Sequence, residues 1–425
     1  MSQIKNKGWQ VAMAGLGINL ALGILYTWSV FKLAIKDSIE RGDGMFNWDM
    51  ASLNDPYAVC CIVFAFAMIP AGRMQDKLSP RVTATIGGVL TGLGLLLASF
   101  STSLLVWVLG FGVLMGAGLG FGYASATPPA IKWFPASKTG MIAGIVVAGF
   151  GLASVYIAPL AKYLIGQFGL SQSMMIFGGA FIVVVSALAQ LLVNPPAGYK
   201  PPQPQTAATQ NKSAPSNHVM IDVEPKVMLR TRAFWVLWFI YAVGSGAGLM
   251  IIGSVAGMAS ASLGEMAWLV VALMAVGNAG GRIAAGMLSD KLGRLQTMAA
   301  MLSFQGLIMF GLLYTGTESV ALIVTAATLI GFNYGTNLSL FPSATKDFFG
   351  IKNFGANYGL LFTAWGVGGL ILPRVSQMIV ADTGSLNSAY VLAGVLLLAG
   401  AGMTLFVGKP AGATGKDVLA APAGS

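Results

Sequence analysis

One side chain in this 425-residue sequence is out of place on electrostatic grounds, and it is Arg282. It lies 17 residues after Glu265 and 8 before Asp290, inside an otherwise apolar run. At 1.5 Å per helical residue those intervals are roughly 25 Å and 12 Å, so the guanidinium cannot easily snorkel to either end. A charge inside an apolar span costs at least ~2.5–3.5 kcal/mol, which demands a partner or a purpose. Guanidinium stays protonated and presents a planar fork of donors that matches a carboxylate. Arg282 is therefore either an anion-binding group or one member of a structural ion pair with an acid on another helix. No Asp or Glu occupies the middle of any apolar run, which favours the anion site. Asn278 stands one turn earlier on the same face, as a ligand contact or as an amide joining two helices. On another face, Gly277 and Gly281 make a Gly-x-x-x-Gly pair that predicts close helix packing.

The runs that position these residues follow from composition. Hydrophobic residues make up 56% of the chain and charged residues 9%, with a net charge of +10. Soluble chains carry roughly 25% charged residues, so this one cannot cover a water-facing surface. That excludes a soluble enzyme, an ordinary nucleic-acid binder and a disordered chain, and makes the lipid bilayer the expected surroundings. Adjacent Cys60 and Cys61 lie in an apolar run and offer neither a disulfide framework nor a metal spacing, so no metal or cofactor is expected.

Twelve runs reach the ~20 residues a membrane helix needs. They centre near 10–34, 52–73, 82–101, 104–130, 139–166, 171–193, 233–258, 266–288, 297–316, 319–343, 354–378 and 386–408. Their continuity predicts an all-α membrane protein rather than the alternating strands of a barrel. The first run is too long, and lacks a small-residue cleavage site, to be a removable signal peptide. Eighteen Lys and Arg residues fall in one set of breaks and ends, whereas the alternate breaks hold only Lys36 and Arg41. That asymmetry places both termini in the cytoplasm of a multi-pass protein of the cell membrane. Lys32, Lys162 and Arg374 lie within spans near outer ends and are expected to snorkel or gate. The break at 195–229, with seven prolines and the single His218, predicts a flexible cytoplasmic linker between bundles at 1–194 and 230–408. Residues 409–425 are expected to be a disordered tail.

Shifting the sequence by 214 residues aligns the two bundles. Gly72, Asp76, Lys77 and Leu78 meet Gly286, Asp290, Lys291 and Leu292; Pro128, Ala130, Lys132, Phe134 and Lys138 meet Pro342, Ala344, Lys346, Phe348 and Lys352. Two parallel six-helix repeats around a central cavity are the build of a rocking transporter. Gly-rich faces such as Gly112, Gly116 and Gly120 are expected to supply sliding contacts as the halves move.

Gly286-Met-Leu-Ser-Asp290-Lys-Leu-Gly-Arg294 resembles the loop signature of the major facilitator superfamily, and Gly72-Arg-Met-Gln-Asp76-Lys-Leu-Ser-Pro-Arg81 is its partner. Ser79 and Pro80 depart from the usual Gly-Arg, which predicts an altered turn. In these loops Asp76, Arg81, Asp290 and Arg294 are the expected conformational latch, the Asp capping a helix or pairing with Arg. Trp133-Phe-Pro-Ala-Ser-Lys138 followed by Gly144-Ile-Val-Val-Ala-Gly149 is similar to the helix-5 signature of monocarboxylate transporters. Met228–Trp238 and Gly23-Ile-Leu-Tyr26-Thr-Trp28-Ser29 resemble the bacterial oxalate–formate antiporter branch.

This resemblance implies a helix-8 substrate Arg at Arg282, with Asn278 where many animal relatives carry a titratable Asp. It also implies aromatic pocket residues at Tyr123 and Tyr334, with Tyr26, Phe362 and Trp365 as further candidates. Trp365 stands where the oxalate–formate branch has a second cation, and one cavity cation favours a monoanion. The expected function is alternating-access transport of lactate or pyruvate by a monomer, by proton symport or by carboxylate exchange. Asp55 is the one acid within reach of a span: either the proton carrier or, with Pro56 behind it, a helix start. A membrane enzyme lacks its titratable groups, an ATP-driven pump lacks its phosphate loop, and the twofold repeat argues against a passive anion channel.

Overall fold

Backbone polar groups have no water to bond inside a bilayer, so a chain this apolar must satisfy them within helices. The computed structural model describes residues 6–196, 198–199, 201, 222–263, 267–315 and 320–407, and among them all regular elements are helical. In chain order the long helices are α1 (Gly8–Arg41), α2 (Asp55–Lys77), α3 (Pro80–Ser99), α4 (Leu104–Lys132), α5 (139–168) and α6 (170–189). They continue as α7 (Arg232–Leu263), α8 (Ala267–Leu292), α9 (Arg294–Thr315), α10 (Val320–Phe349), α11 (Phe354–Thr383) and α12 (Asn387–Met403). Nine described segments are long and apolar enough to cross a membrane, and one of them, Ala136–Ala189, is long enough to cross twice. The centre of the expected linker, including His218, and the expected tail 409–425 lie outside the described residues.

Local sequence sets the boundaries. Gly169 at φ +79° separates α5 from α6, a conformation that costs an L side chain dearly. Ser79 and Pro80 do not spoil the turn into α3. Ser79 is extended, its hydroxyl accepts the Arg81 amide at 3.2 Å, and Pro80 takes a first-turn position where its missing N–H is no loss. The last part of the expected linker is held rather than free. Asp222 accepts the Ile351 and Lys352 amides at 2.8 Å, and Pro225–Met228 forms one helical turn. Two helices depart from regular winding: α1 tightens to a 3-10 turn over Gly23–Thr27, and α4 widens to a π-helix over Val108–Met115.

Packing between the repeats rests on two related interfaces, α2 against α11 and α5 against α8. In the first, a Cβ on Gly72 would strike the Gly355 carbonyl, and one on Gly359 would strike Met68. In the second, Gly286 opposes Gly140, and Gly144 opposes the Arg282 carbonyl. Gly277 and Gly281 bring α8 onto α10 at Thr328 and Phe332, as their spacing predicts. The expectation for Gly112, Gly116 and Gly120 is corrected here. They press α4 onto α2 at Val59, Cys60 and Phe64 within one repeat, because the small faces of α4 point into their own bundle. Large apolar side chains such as Phe66, Leu105, Val183, Leu307 and Met378 cover the outside, as a chain solvated by lipid requires.

Candidate functional site

Arg282 is fully buried and ranks among the largest side chains with no exposed surface. Gly144 and Gly151 on α5 allow the α8 backbone to come close, and that approach sets the guanidinium's surroundings. Its Nε donates to Asn278 Oδ1 at 2.9 Å, one turn away on α8. Its Nη1 donates to the Val147 carbonyl of α5, which has a lone pair to spare beyond its own helix bond. Its Nη2 is buried with no hydrogen-bond partner. Among the described residues every ion pair lies elsewhere: Lys36–Glu40, Arg41–Asp43, Arg294–Asp290 and Arg294–Asp347. The alternative of a structural Arg–acid pair is thus without support in the described residues.

The open guanidinium edge faces a closed cavity. Its lining is Arg282, Tyr26, Phe64, Tyr123, Phe150, Leu338, Phe362 and Trp365, packed tightly around a free volume of about 10 Å³. That is room for about one water, so any larger occupant requires these walls to move apart. Phe64 is the hub of the wall, with ring centroids 5.2 Å from Phe362, 5.4 Å from Trp365 and 5.6 Å from Tyr123. The Tyr26 and Tyr334 hydroxyls are 2.9 Å apart, and Trp365 Nε1 donates to Tyr334 at 2.8 Å. That chain ties α1 of the first repeat to α10 and α11 of the second.

The structure brings Arg282, Asn278, Tyr26, Tyr123, Tyr334, Phe362 and Trp365 into one assembly. It adds Phe64, Phe150, Leu338 and the Val147 carbonyl, which sequence reading missed. Phe150 sits between Gly149 and Gly151, a small-residue bracket that could have marked it; Phe64 and Leu338 carried no such signal. Asp55 is not brought to the cavity. It stands exposed in the first turn of α2, with Pro56 behind it. Lys162 and Arg374 are exposed and Lys32 is half-buried, all away from the lining.

At the end of the molecule that carries the basic breaks, each repeat reaches across to the other. Asp290 accepts the Gly140 and Met141 amides of α5 at 2.8 Å each and pairs with Arg294 at 2.7 Å. Arg294 also holds Asp347 at 2.8 Å, and buried Lys346 donates to Thr139 Oγ1 at 2.7 Å. Asp76 accepts the Ala356 amide of α11 at 3.0 Å and a bond from Gln75 at 2.7 Å. Both carboxylates use the exposed donors at the start of a partner helix. Arg81 is not part of this contact; its Nε donates to the Leu192 carbonyl at 3.2 Å, in its own repeat.

A single buried cation in an aromatic cavity between two repeats can hold one carboxylate by charge and its apolar body by contact. Comparison with known proteins agrees with that architecture. The model of the Major Facilitator Superfamily matches residues 8–336 and 245–422. An uncharacterized MFS-type transporter of Escherichia coli, YhjX, is 26% identical over 87% of each chain. The oxalate:formate antiporter of Oxalobacter formigenes is 24% identical over 84% of this chain and 81% of its own. Monocarboxylate transporter 11 of Mus musculus is 27% identical over 95% of this chain and 87% of its own. Among solved structures, FucP in the outward conformation shares the fold with a TM-score of 0.65 at 17% identity, covering 92% of this chain and 99% of that one. The chain belongs to the Major Facilitator Superfamily: it is an all-α membrane transporter of two six-helix repeats, and not an enzyme.

Proposed function

We propose that this protein carries short monocarboxylates, lactate or pyruvate, across the cell membrane by alternating access, with both termini in the cytoplasm. The observation that carries the reading is Arg282 itself, a buried guanidinium that lines an aromatic cavity and pairs with no acid among the described residues. A substrate carboxylate takes that donor, neutralises the buried charge and leaves its methyl end to Phe64, Phe150 and Phe362. The loaded cavity is then cheaper to enclose than the empty one, which biases the repeats toward rocking. The names of two relatives, an oxalate:formate antiporter and a monocarboxylate transporter, accord with a carboxylate cargo.

Proton symport is the coupling we favour, with Asp55 as the proton carrier. A second reading, carboxylate exchange, is favoured by one observation: the cavity lining contains no acid, and Asn278 cannot titrate. Uptake of labelled lactate into proteoliposomes tests all of this. Accumulation driven by an inward proton gradient into empty vesicles, lost in Arg282→Gln and uncoupled in Asp55→Asn, is the expected result. Uptake only into vesicles preloaded with carboxylate replaces symport by exchange. Uptake indifferent to Arg282→Gln ends the carboxylate reading.

A further inference from the structure

Beside the Asp290 contact lies a second buried cation, which carboxylate recognition does not use. Lys346 stands past the apolar run 319–343, in the last turn of α10 and at the basic end of the molecule. Its side chain is 4% exposed, and its Nζ donates across the repeats to Oγ1 of Thr139, the fully buried first residue of α5. A hydroxyl compensates a buried ammonium poorly, and Lys346 is in none of the ion pairs formed by the described residues. The surroundings argue further against a charge. The start of α5 is the positive end of a helix dipole, and Arg294 at the start of α9 adds a second cation. Asp347 on α10 and Asp290 on α8 pull the other way, but Arg294 already pairs with both. Burial is the strongest influence, and it pushes the Lys346 amine down from the ordinary lysine value to about 8. Lys132, its match in the first repeat, is only half-buried.

We infer that Lys346 makes opening of the basic end proton-linked: the repeats close there on the neutral amine and part on the ammonium. A neutral amine keeps N–H groups to donate to Thr139, so the closed contact survives loss of the charge. When the repeats part at Thr139, water reaches Lys346, and the amine takes one proton from that water. On closing, it returns the proton to the same side. The proton therefore never crosses the membrane, and the group tunes the balance of states without coupling transport to a gradient. The sign follows from linkage: the open form binds the extra proton, so a rise in pH favours closure. Between about pH 7 and about pH 9 the ratio of open to closed protein should fall about tenfold. The inference needs only that the repeats rock, whatever the cargo.

The test measures the distance between spin labels on the two repeats at the basic end, at the exposed positions Lys77→Cys and Lys352→Cys. It uses the full-length protein with Cys60→Ala and Cys61→Ala, in nanodiscs, so that both faces meet one pH. With Lys346 present, the share of the long distance relative to the short one should fall about tenfold over that pH range. Lys346→Met is permanently neutral and should hold the short distance throughout; Lys346→Arg is permanently charged and should hold the long one. Thermal melting reports folding, and either variant decides alone where the other fails to fold. A ratio that stays within about twofold with Lys346 present overturns the inference. So does a tenfold shift that survives in Lys346→Met or in Lys346→Arg, since another group would then carry the proton.

Discussion

The α5–α8 and α2–α11 interfaces are built from matching positions of the repeat, yet they carry different chemistry. Glycine backbones meet in both, at Gly140–Gly286 and at Gly72–Gly355, and an Asp from one helix caps the start of the other. At an offset of 214, however, Asn278 and Arg282 correspond to Phe64 and Met68, while Arg294 and Asp347 correspond to Pro80 and Trp133. The α5–α8 interface thus holds a buried cation without an acid partner at the cavity, and the linked charges of Asp290, Arg294 and Asp347 at its basic end. The α2–α11 interface is apolar at the cavity and capped by a lone carboxylate. Shared backbone geometry preserves the ability to slide, and the charge needed to recognise an anion is confined to one side. Substrate binding can then act on one interface while its mate serves as a passive counterpart.

Making the two interfaces alike should have the largest effect. Arg282→Met copies Met68 across the repeat and should weaken lactate binding about 10- to 100-fold, the worth of a charge-assisted contact. The same substitution removes an unsatisfied buried donor and should raise the melting temperature; a lower one would mean the cation is structurally paired after all. Next come Gly140→Leu and Gly355→Leu, each placing a side chain where backbones touch. Both should cut transport by about tenfold, since overpacking costs ~1–3 kcal/mol, and unequal losses in a proteoliposome assay would break the equivalence of the interfaces. Asp290→Asn should lower the melting temperature more than Asp76→Asn. Each variant keeps one side-chain oxygen for capping, but the first also loses the Arg294 ion pair and one of its two amide bonds, a difference of about 1 kcal/mol or more. The smallest effect is expected from Tyr26→Phe, which deletes the bond to Tyr334 outside both interfaces. A loss of about 1 kcal/mol, a fewfold in counterflow rate, is the expected outcome.

The elements that repel lipid were legible in the sequence, and those that accept it were not. Arg282 and the basic breaks stand out because charge is costly in a bilayer, and the Asp76 and Asp290 loops stand out because they repeat. Fold class followed from the same signals. Asn278, Tyr26, Tyr123, Tyr334, Phe362 and Trp365 were reachable through family resemblance joined to polar or aromatic character. Phe64 and Leu338 were not, because an apolar residue in an apolar helix gives no sign of whether it faces lipid or cavity. Gly112, Gly116 and Gly120 misled for a related reason: a small-residue stripe shows that something packs closely, without saying which helix does so. Arg81 was placed by its neighbourhood in the chain, but Pro80 has taken the position equivalent to Arg294, and Arg81 turns to Leu192 instead.

The wide turn of α4 over Val108–Met115 fixes an angular relation along that helix. Trp107 and Phe111 pack against Trp28 toward one end, while Tyr123 meets the cavity toward the other. A π segment accommodates one residue more than an α-helix of the same sweep, so deleting a single residue there would restore regular winding. The aromatic end would then be turned by about 100° relative to Tyr123, one residue's rotation in an α-helix. Single-residue gaps between relatives are therefore tolerable in the loops, and within this stretch one gap would separate chains that aim Tyr123 at the cargo from chains that do not.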